Sequence, residues 1–262
     1  MNETEVHQQG WEQVKQKVSE LGATDSDTRE GAYSFLSSWV MQEDERGKPQ
    51  LDELLQESLS GRGLFLGIGE KEGDHVFKRT FSSLLIALLL ARDNRESYLS
   101  RDRFQNTLQA LVHYCQQEND FRGYVEGKGW AHSAAHVADA LDECALSRHA
   151  GGEECAEIWV GMRALLERPE EVYQREEDER LATIIVSMLE KEKVSFDTVC
   201  EWLKQMEPAQ SRSLESYTRN TNRKHFLRCL FIRLYDAALD SGGSEWKLNQ
   251  LLELEKSFNR FR

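Results

Sequence analysis

The sequence is poor in helix-breaking residues and has no long apolar run. Only three prolines occur in 262 residues, while leucine, alanine, glutamate and arginine are frequent, so the composition favours a mostly helical fold. The longest apolar run, 84–91 in FSSLLIALLLARD, is far too short to cross a bilayer. We therefore expect an all-α protein in which this run forms the centre of a buried helix.

Basic residues are also fewer than acidic ones. The chain has 33 lysines and arginines against 46 aspartates and glutamates, which gives a formal net charge of -13. Nucleic acids and anionic membranes bind basic faces, so neither is expected as a partner. A small molecule or another protein remains as the partner, and the chain would be a monomer or a homodimer. The first residues, MNETEVHQQGWEQV, lack the apolar region of a signal peptide, so a cytoplasmic location is expected.

The sequence lacks the common motifs that indicate a particular catalytic or binding activity. The sequence has no P-loop, no G-x-S-x-G and no H-E-x-x-H. Its five cysteines are odd in number and form no C-x-x-C pair, which argues against a zinc knuckle or a redox pair. Each lies among apolar residues, so we expect buried free thiols in a reducing cytosol. These cysteines are Cys115, Cys144, Cys155, Cys200 and Cys229.

Helical periodicity dominates what is present. Apolar residues recur at three- and four-residue spacing in eleven segments. An Asp-x-Arg pair at three predicted helix starts is typical of the second helix of HEAT-type repeats, although its period is not constant. We predict one domain over 1–262, an α-α superhelix of HEAT-like character with about eleven or more helices; an irregular helical bundle is the alternative. The pairs are Asp27/Arg29, Asp93/Arg95 and Asp178/Arg180. The segments lie near 3–21, 27–42, 49–60, 75–92, 101–118, 130–147, 153–167, 177–191, 195–206, 222–240 and 244–259.

One predicted helix, near 130–147 in GWAHSAAHVADALDEC, carries an unusual polar row. On a helical wheel His132, His136, Asp139 and Glu143 share an arc of roughly 60°. The opposite side consists of small and apolar residues, which allow a neighbouring helix to approach closely. These residues are Ala134, Val137, Ala138, Leu141 and Ala145.

The polar row permits three interpretations. Imidazoles at i and i+4 can share a divalent metal, with a carboxylate one turn further on, which makes His132, His136 and Asp139 candidate ligands. Another helix would then have to supply the remaining ligand. The row could equally line a pocket in which histidine and aspartate bind a ligand or act as acid and base. A structural network of hydrogen bonds is the third interpretation.

The loop before this helix is rich in glycine and charge. Gly123, Gly127 and Gly129 alternate with Arg122, Glu126 and Lys128. Such a loop can present backbone N–H groups to an anion, with the two cations adding charge. The alternative, which we favour, is a turn that needs left-handed backbone.

The segment RGYVEGKGWAHSAAHVADALDE, with GLFLGIGE, FKRTFSSLLIALLLARD and EDERLA, resembles a bacterial family, the domain of unknown function 2785. The resemblance covers about 20–205; 207–262 is expected to form C-terminal helices that pack on this part. It implies a bacterial, cytosolic, HEAT-like helical protein and no established activity. The family motif includes Glu126, Lys128, Trp130, His132, His136, Asp139, Asp142, Glu179 and Arg180.

The function predicted from these observations is a binding or interaction scaffold with a cleft lined by His, Asp and Glu. Helical repeats most often serve as binding surfaces, and no complete catalytic constellation is visible in the sequence. The alternative is a metal-dependent hydrolase that uses His132, His136 and Asp139. The candidate ligand-binding residues are Arg122, Glu126, Lys128, Trp130, His132, His136, Asp139, Glu143, Glu179 and Arg180.

Overall fold

The structure, a computed structural model, describes residues 3–42, 48–241 and 245–259. Within these ranges the chain forms eleven α-helices and one two-stranded antiparallel sheet, which confirms the all-α prediction. The helices are α1 (Glu3–Glu20), α2 (Ser26–Val40), α3 (Lys48–Ser58), α4 (His75–Arg95), α5 (Arg101–Gln117), α6 (Ser133–Leu146), α7 (Gly152–Glu167), α8 (Glu177–Glu190), α9 (Phe196–Lys204), α10 (Leu214–Ser241) and α11 (Glu245–Phe258). The strands are β1 (Tyr124–Val125) and β2 (Gly129–Trp130).

Most helices begin and end within a few residues of the predicted bounds, but α10 does not. The apolar pattern places its start near 222, whereas the helix begins at Leu214. Ser213 explains the difference, because its Oγ accepts the backbone N–H of Ser216 at 3.2 Å. A serine before the first turn satisfies an otherwise unpaired donor, so the helix can start in a polar stretch.

The Asp-x-Arg pairs mark two helix starts and one helix end. Asp27 and Asp178 lie in the first turns of α2 and α8, as predicted. Asp93 lies in the last turn of α4, so its predicted place at a helix start is wrong. Its carboxylate accepts the backbone N–H groups of Tyr98 and Leu99, both at 2.7 Å, and so shapes the turn that follows the helix.

The core follows α4 and α6. The run 84–91 lies inside α4, and most of its side chains are buried, as expected. Helix α6 makes its most extensive contacts with α4 and α8. Its apolar face is buried as predicted, since Ala134, Val137, Ala138, Leu141 and Ala145 expose at most 2% of their surface.

The cysteines are free thiols, as predicted; four are buried and Cys229 is half-buried. Burial raises the pKa of the Cys155 and Cys200 thiols to about 11, so both are protonated at neutral pH. Among the helices that the structure describes, none has the length and apolar character to cross a bilayer.

Candidate functional site

His132 lies just before α6 rather than on it. The helix begins at Ser133, three residues after the predicted start, because His132 adopts a left-handed conformation (φ 54°, ψ 41°) at the N-cap position. The wheel that places His132 on the helix face is therefore wrong. Even so, its ring meets that of His136, with ring centroids 5.5 Å apart.

A carboxylate and a carbonyl fix the orientation of the His132 ring. Its Nε2 lies 2.8 Å from the carbonyl oxygen of Arg175 and 3.3 Å from Oε1 of Glu177. Since both partners are acceptors, Nε2 carries the proton, and in the neutral ring the lone pair is on Nδ1. Burial alone would raise the pKa of Glu177, but hydrogen bonds from His132 and from the backbone N–H of Arg175 hold it below its usual value.

His136 is a neutral, buried imidazole. Its side chain packs edge-on against the ring of Phe81, with centroids 5.5 Å apart. Burial lowers the pKa of His136 well below its usual range, and the nearby His132 and Arg180 lower it further. Its Nδ1 has no hydrogen-bond partner among the residues that the structure describes. A buried polar atom without a partner is costly. A hydrogen-bond interaction with the backbone of Thr80 acts on the same imidazole and opposes the lowering of its pKa.

The rings of His132, His136 and Phe81 form a row, and Trp130 extends this row of rings to the surface. Its ring stacks on His132 with centroids 5.0 Å apart and an interplanar angle of 25°. Tyr124 packs edge-on against the same indole at 5.2 Å. Trp130 remains 37% exposed. A continuous series of ring contacts therefore leads from an exposed indole through His132 and His136 to the buried Phe81.

These rings line a cleft of about 650 Å³. That volume suits a small-molecule ligand. Two of its residues, His132 and Glu176, have left-handed backbone although neither is glycine. Such conformations cost on the order of 1–3 kcal/mol and cluster at functional sites, so two at one cleft support a functional role. The lining residues are Glu30, Tyr33, Ser34, Phe81, Leu84, Trp130, His132, His136, Gln174, Arg175, Glu176 and Arg180.

Four of the predicted site residues meet in the cleft: Trp130, His132, His136 and Arg180. Asp139 lies beside it and forms an ion pair with Arg180, Oδ2 to Nη1 at 2.5 Å. Burial raises the pKa of Asp139, and the guanidinium of Arg180 counteracts that effect. The carboxylate of Asp139 is therefore already paired within the protein.

Three further predicted residues lie on or near the hairpin, outside the cleft lining. Lys128 forms an ion pair with Asp74 at 2.6 Å, and Arg122 forms one with Asp120 at 2.5 Å. Glu126 is exposed in the turn. Gly127 and Gly129 have φ values of +73° and +81° in this turn, which confirms the predicted left-handed backbone.

The last two predicted residues pair with other helices. The Glu143 carboxylate accepts a hydrogen bond from Asn94 of α4 at 2.9 Å. Glu179 forms an ion pair with Arg233 of α10 at 2.9 Å. Neither residue lines the cleft. The predicted site residues are therefore divided between the cleft and the contacts that α6 and α8 make with α4 and α10.

Sequence reasoning missed the residue that holds the hairpin. Arg29 is fully buried, and its Nη2 donates to the carbonyl of Lys128 at 2.5 Å. Its guanidinium also lies over the rings of Phe77 and Phe81, 4.2 and 5.0 Å from their centroids. Gly129 permits this approach, since a Cβ there would lie 2.9 Å from that of Ser26. The sequence shows Arg29 only as half of an Asp-x-Arg pair.

The metal interpretation lacks a third ligand in this arrangement. Across the part of the chain that the structure describes, no group of three or more His, Cys, Asp or Glu side chains is arranged to hold a metal ion. His132 and His136 supply two nitrogens, while the Asp139 carboxylate is paired with Arg180. A metal at this site would need that ion pair to open.

The fold and the site define an all-α protein with a ligand-sized cleft of aromatic and histidine rings. The chain belongs to the family described as protein of unknown function (DUF2785), whose model matches residues 64–232. The match confirms the resemblance, but it begins later than residue 20 and extends beyond 205 into α10. It covers the hairpin, α6 and α8. It leaves out α2, which contributes Glu30, Tyr33 and Ser34 to the cleft. No curated protein and no solved structure matches the chain.

Proposed function

We propose that this protein is a cytoplasmic binding scaffold, a single HEAT-like helical domain, whose cleft takes a small ligand with a planar ring and an N–H or O–H donor. The observation that carries the proposal is the unpaired Nδ1 of His136, buried at the inner end of the row of rings. In the tautomer that carries the ring proton on Nε2, the neutral imidazole accepts a hydrogen bond at this nitrogen.

The exposed end of the row of rings also supports a ligand with a planar ring. Trp130 and His132 lie almost parallel, as aromatic groups do when they stack on a planar partner. Arg175 in the cleft would favour a ligand that also carries negative charge, although Glu30 and Glu176 line the cleft as well and Arg180 is paired with Asp139. Ring stacking and one buried hydrogen bond are therefore the expected determinants of affinity, with charge in a secondary role.

Paired probes test this proposal. Phenol and indole each carry a donor, whereas toluene is a planar ring without one, and binding can be followed by calorimetry and by protein NMR. We expect phenol and indole to bind several-fold more tightly than toluene, because only they can donate to His136. Equal binding of phenol and toluene would contradict the hydrogen-bond argument.

A pair of tryptophan variants locates the binding. Trp130→Ala should weaken indole binding by about twofold to tenfold, since stacking on an indole contributes on the order of 0.5–1.5 kcal/mol beyond burial. Trp246→Ala removes another exposed tryptophan, on α11, and should leave binding unchanged. If both variants lose the same affinity, or neither loses any, the ligand does not bind in this cleft.

An enzyme remains the second candidate, and the His132–Glu177 contact favours it. A carboxylate that accepts a hydrogen bond from Nε2–H leaves the lone pair on Nδ1, which is an arrangement used for proton transfer. In the hydrolase version a divalent metal would bind His132, His136 and Asp139. Elemental analysis of untagged protein tests this version, with Asp139→Asn as the variant. A stoichiometric metal that Asp139→Asn loses would support it, whereas a metal-free protein would refute it.

A further inference from the structure

A second cavity lies apart from the cleft and shares no lining residue with it. It measures about 1190 Å³ and is bounded by α1, α3, the loop after α3 and the start of α4. Its wall combines apolar surface from Trp11, Val18, Leu54 and Leu66 with charged groups. Such a mixed wall around a ligand-sized space is typical of small-molecule sites. The charged groups include Glu20, Glu57, Arg62, Asp74 and Lys78.

Lys78 is the unusual member of this wall. Its side chain packs against Gly22 in the turn after α1, where a Cβ would lie 3.1 Å from the Cβ of Lys78. Its Nζ donates to the backbone carbonyl of Val18 in the last turn of α1, a group that lacks a regular helical partner. The side chain is thus partly buried, and its amine is held by a carbonyl rather than by a carboxylate.

Three carboxylates of the cavity are already engaged by other cations. Glu20 pairs with Lys17 at 2.6 Å, Glu57 with Arg62 at 2.7 Å, and Asp74 with Lys128 at 2.6 Å. Their charge is therefore partly neutralised, which reduces the support they give to an ammonium at Lys78.

Burial lowers the pKa of Lys78 to about 8, while the charge of Glu57 acts weakly in the opposite direction. About a tenth of an amine with such a pKa is unprotonated at pH 7, against less than about one thousandth for an ordinary lysine. Only the unprotonated amine is a nucleophile. Lys78 therefore combines a reactive form at neutral pH with a cavity large enough for a partner.

We propose that the cavity is a site for a small aldehyde or ketone that condenses with the amine of Lys78 to form an imine. The nitrogen lone pair attacks the carbonyl carbon, and a C–N bond forms. The two protons of the neutral amine leave with the carbonyl oxygen as one molecule of water, so the step needs no oxidant or reductant. The hydrogen bond to Val18 uses an N–H of the amine, so that carbonyl does not engage the lone pair of the unprotonated amine.

Reductive trapping in the wild-type protein tests the proposal without any variant that must fold. The protein is incubated at pH 7 with 4-formylbenzoate and sodium cyanoborohydride, and modified lysines are located by peptide mass spectrometry. Lys193 is the matched control, because its Nζ also donates to backbone carbonyls, at 3.0 and 2.9 Å, but does not line the cavity. We expect modification of Lys78 to be at least tenfold faster than that of Lys193. Similar rates at both lysines would overturn the proposal.

Competitive labelling with trace acetic anhydride between pH 6 and 10 gives an independent readout. The labelling rate of Lys78 should reach half of its maximum near pH 8 and then level off, as the titration requires. A rate that keeps rising beyond pH 9 would show an ordinary protonated lysine and would overturn the proposal. Because the cleft does not contain Lys78, neither result depends on ligand binding at His136.

Discussion

Replacing His136 with glutamine should remove part of the acid sensitivity of this fold. Burial holds the pKa of His136 well below its usual value of 6.5 in the folded chain, while the unfolded chain has the usual value. Below about pH 6.5 the unfolded state therefore binds more protons than the folded state. Linkage then requires the free energy of unfolding to fall as the pH falls through this range.

The size of the effect follows from the unfolded-state value alone, provided that the folded imidazole stays neutral. Protonation of the unfolded chain then costs the wild type about 1 kcal/mol at pH 5.5 and about 2 kcal/mol at pH 5, relative to pH 7.5. Glutamine cannot titrate, so His136→Gln should lack this contribution whatever its stability at neutral pH. Glu177, whose pKa is lowered, loses its contribution only below about pH 4.5, outside this window.

Urea unfolding followed by far-ultraviolet circular dichroism, from pH 7.5 to pH 5, measures the effect. The quantity of interest is the difference in pH dependence between the wild type and the variant. His75→Gln is the control, because His75 lies at the exposed start of α4 and is 53% exposed in its side chain. An equal loss of stability in the wild type and in His136→Gln would refute the view that His136 is buried as a neutral ring.

Two further predictions concern the hairpin turn and a buried ion pair between Arg79 of α4 and Glu118, the residue after α5. Gly129→Ala should destabilise the protein by about 2–3 kcal/mol, because the new Cβ would meet Ser26 at 2.9 Å; Gly127→Ala, with nothing within 4 Å, should cost only about 1 kcal/mol for its positive φ. Urea unfolding of both variants checks this order, and the reverse order would contradict it. Glu118→Gln should cost about 3–5 kcal/mol, since it leaves the buried Arg79 without its two carboxylate contacts at 2.7 and 2.8 Å. A loss below about 1 kcal/mol in the same assay would show that Arg79 finds another partner.

Most of the helices could be predicted because apolar residues, which become buried, recur in the sequence with the period of a helix. Asp93 shows the limit of a local motif. The sequence Asp-x-Arg is the same at Asp27, Asp93 and Asp178, but only the first and the last have the helix on their C-terminal side. At Asp93 the helix precedes the motif, and the carboxylate binds the backbone N–H groups that follow it.

The candidate site could be predicted only in part, because distant contacts arrange it. The spacing of His132 and His136 brings them close together, and their rings meet although His132 lies before the helix. Their partners come from elsewhere in the chain: Glu177 follows His132 by 45 positions, and Arg29 contacts the hairpin from about 100 positions away. Contacts between residues so far apart leave no periodic signal in the sequence. The contact of His132 Nε2 with Glu177 and the hydrogen bond from Arg29 to the hairpin could therefore not be predicted.

The left-handed conformation of His132 is what assembles the row of rings. On a regular helix, residues two apart lie about 200° apart, so Trp130 and His132 would point to opposite faces. In the structure their rings stack at 5.0 Å, and His132 still meets His136 at 5.5 Å. Both contacts require Trp130 to be in the strand, His136 to be in the helix, and a single residue to join the two. The strained residue is therefore part of the construction of the cleft, and a helix that began at Trp130 would have separated its rings.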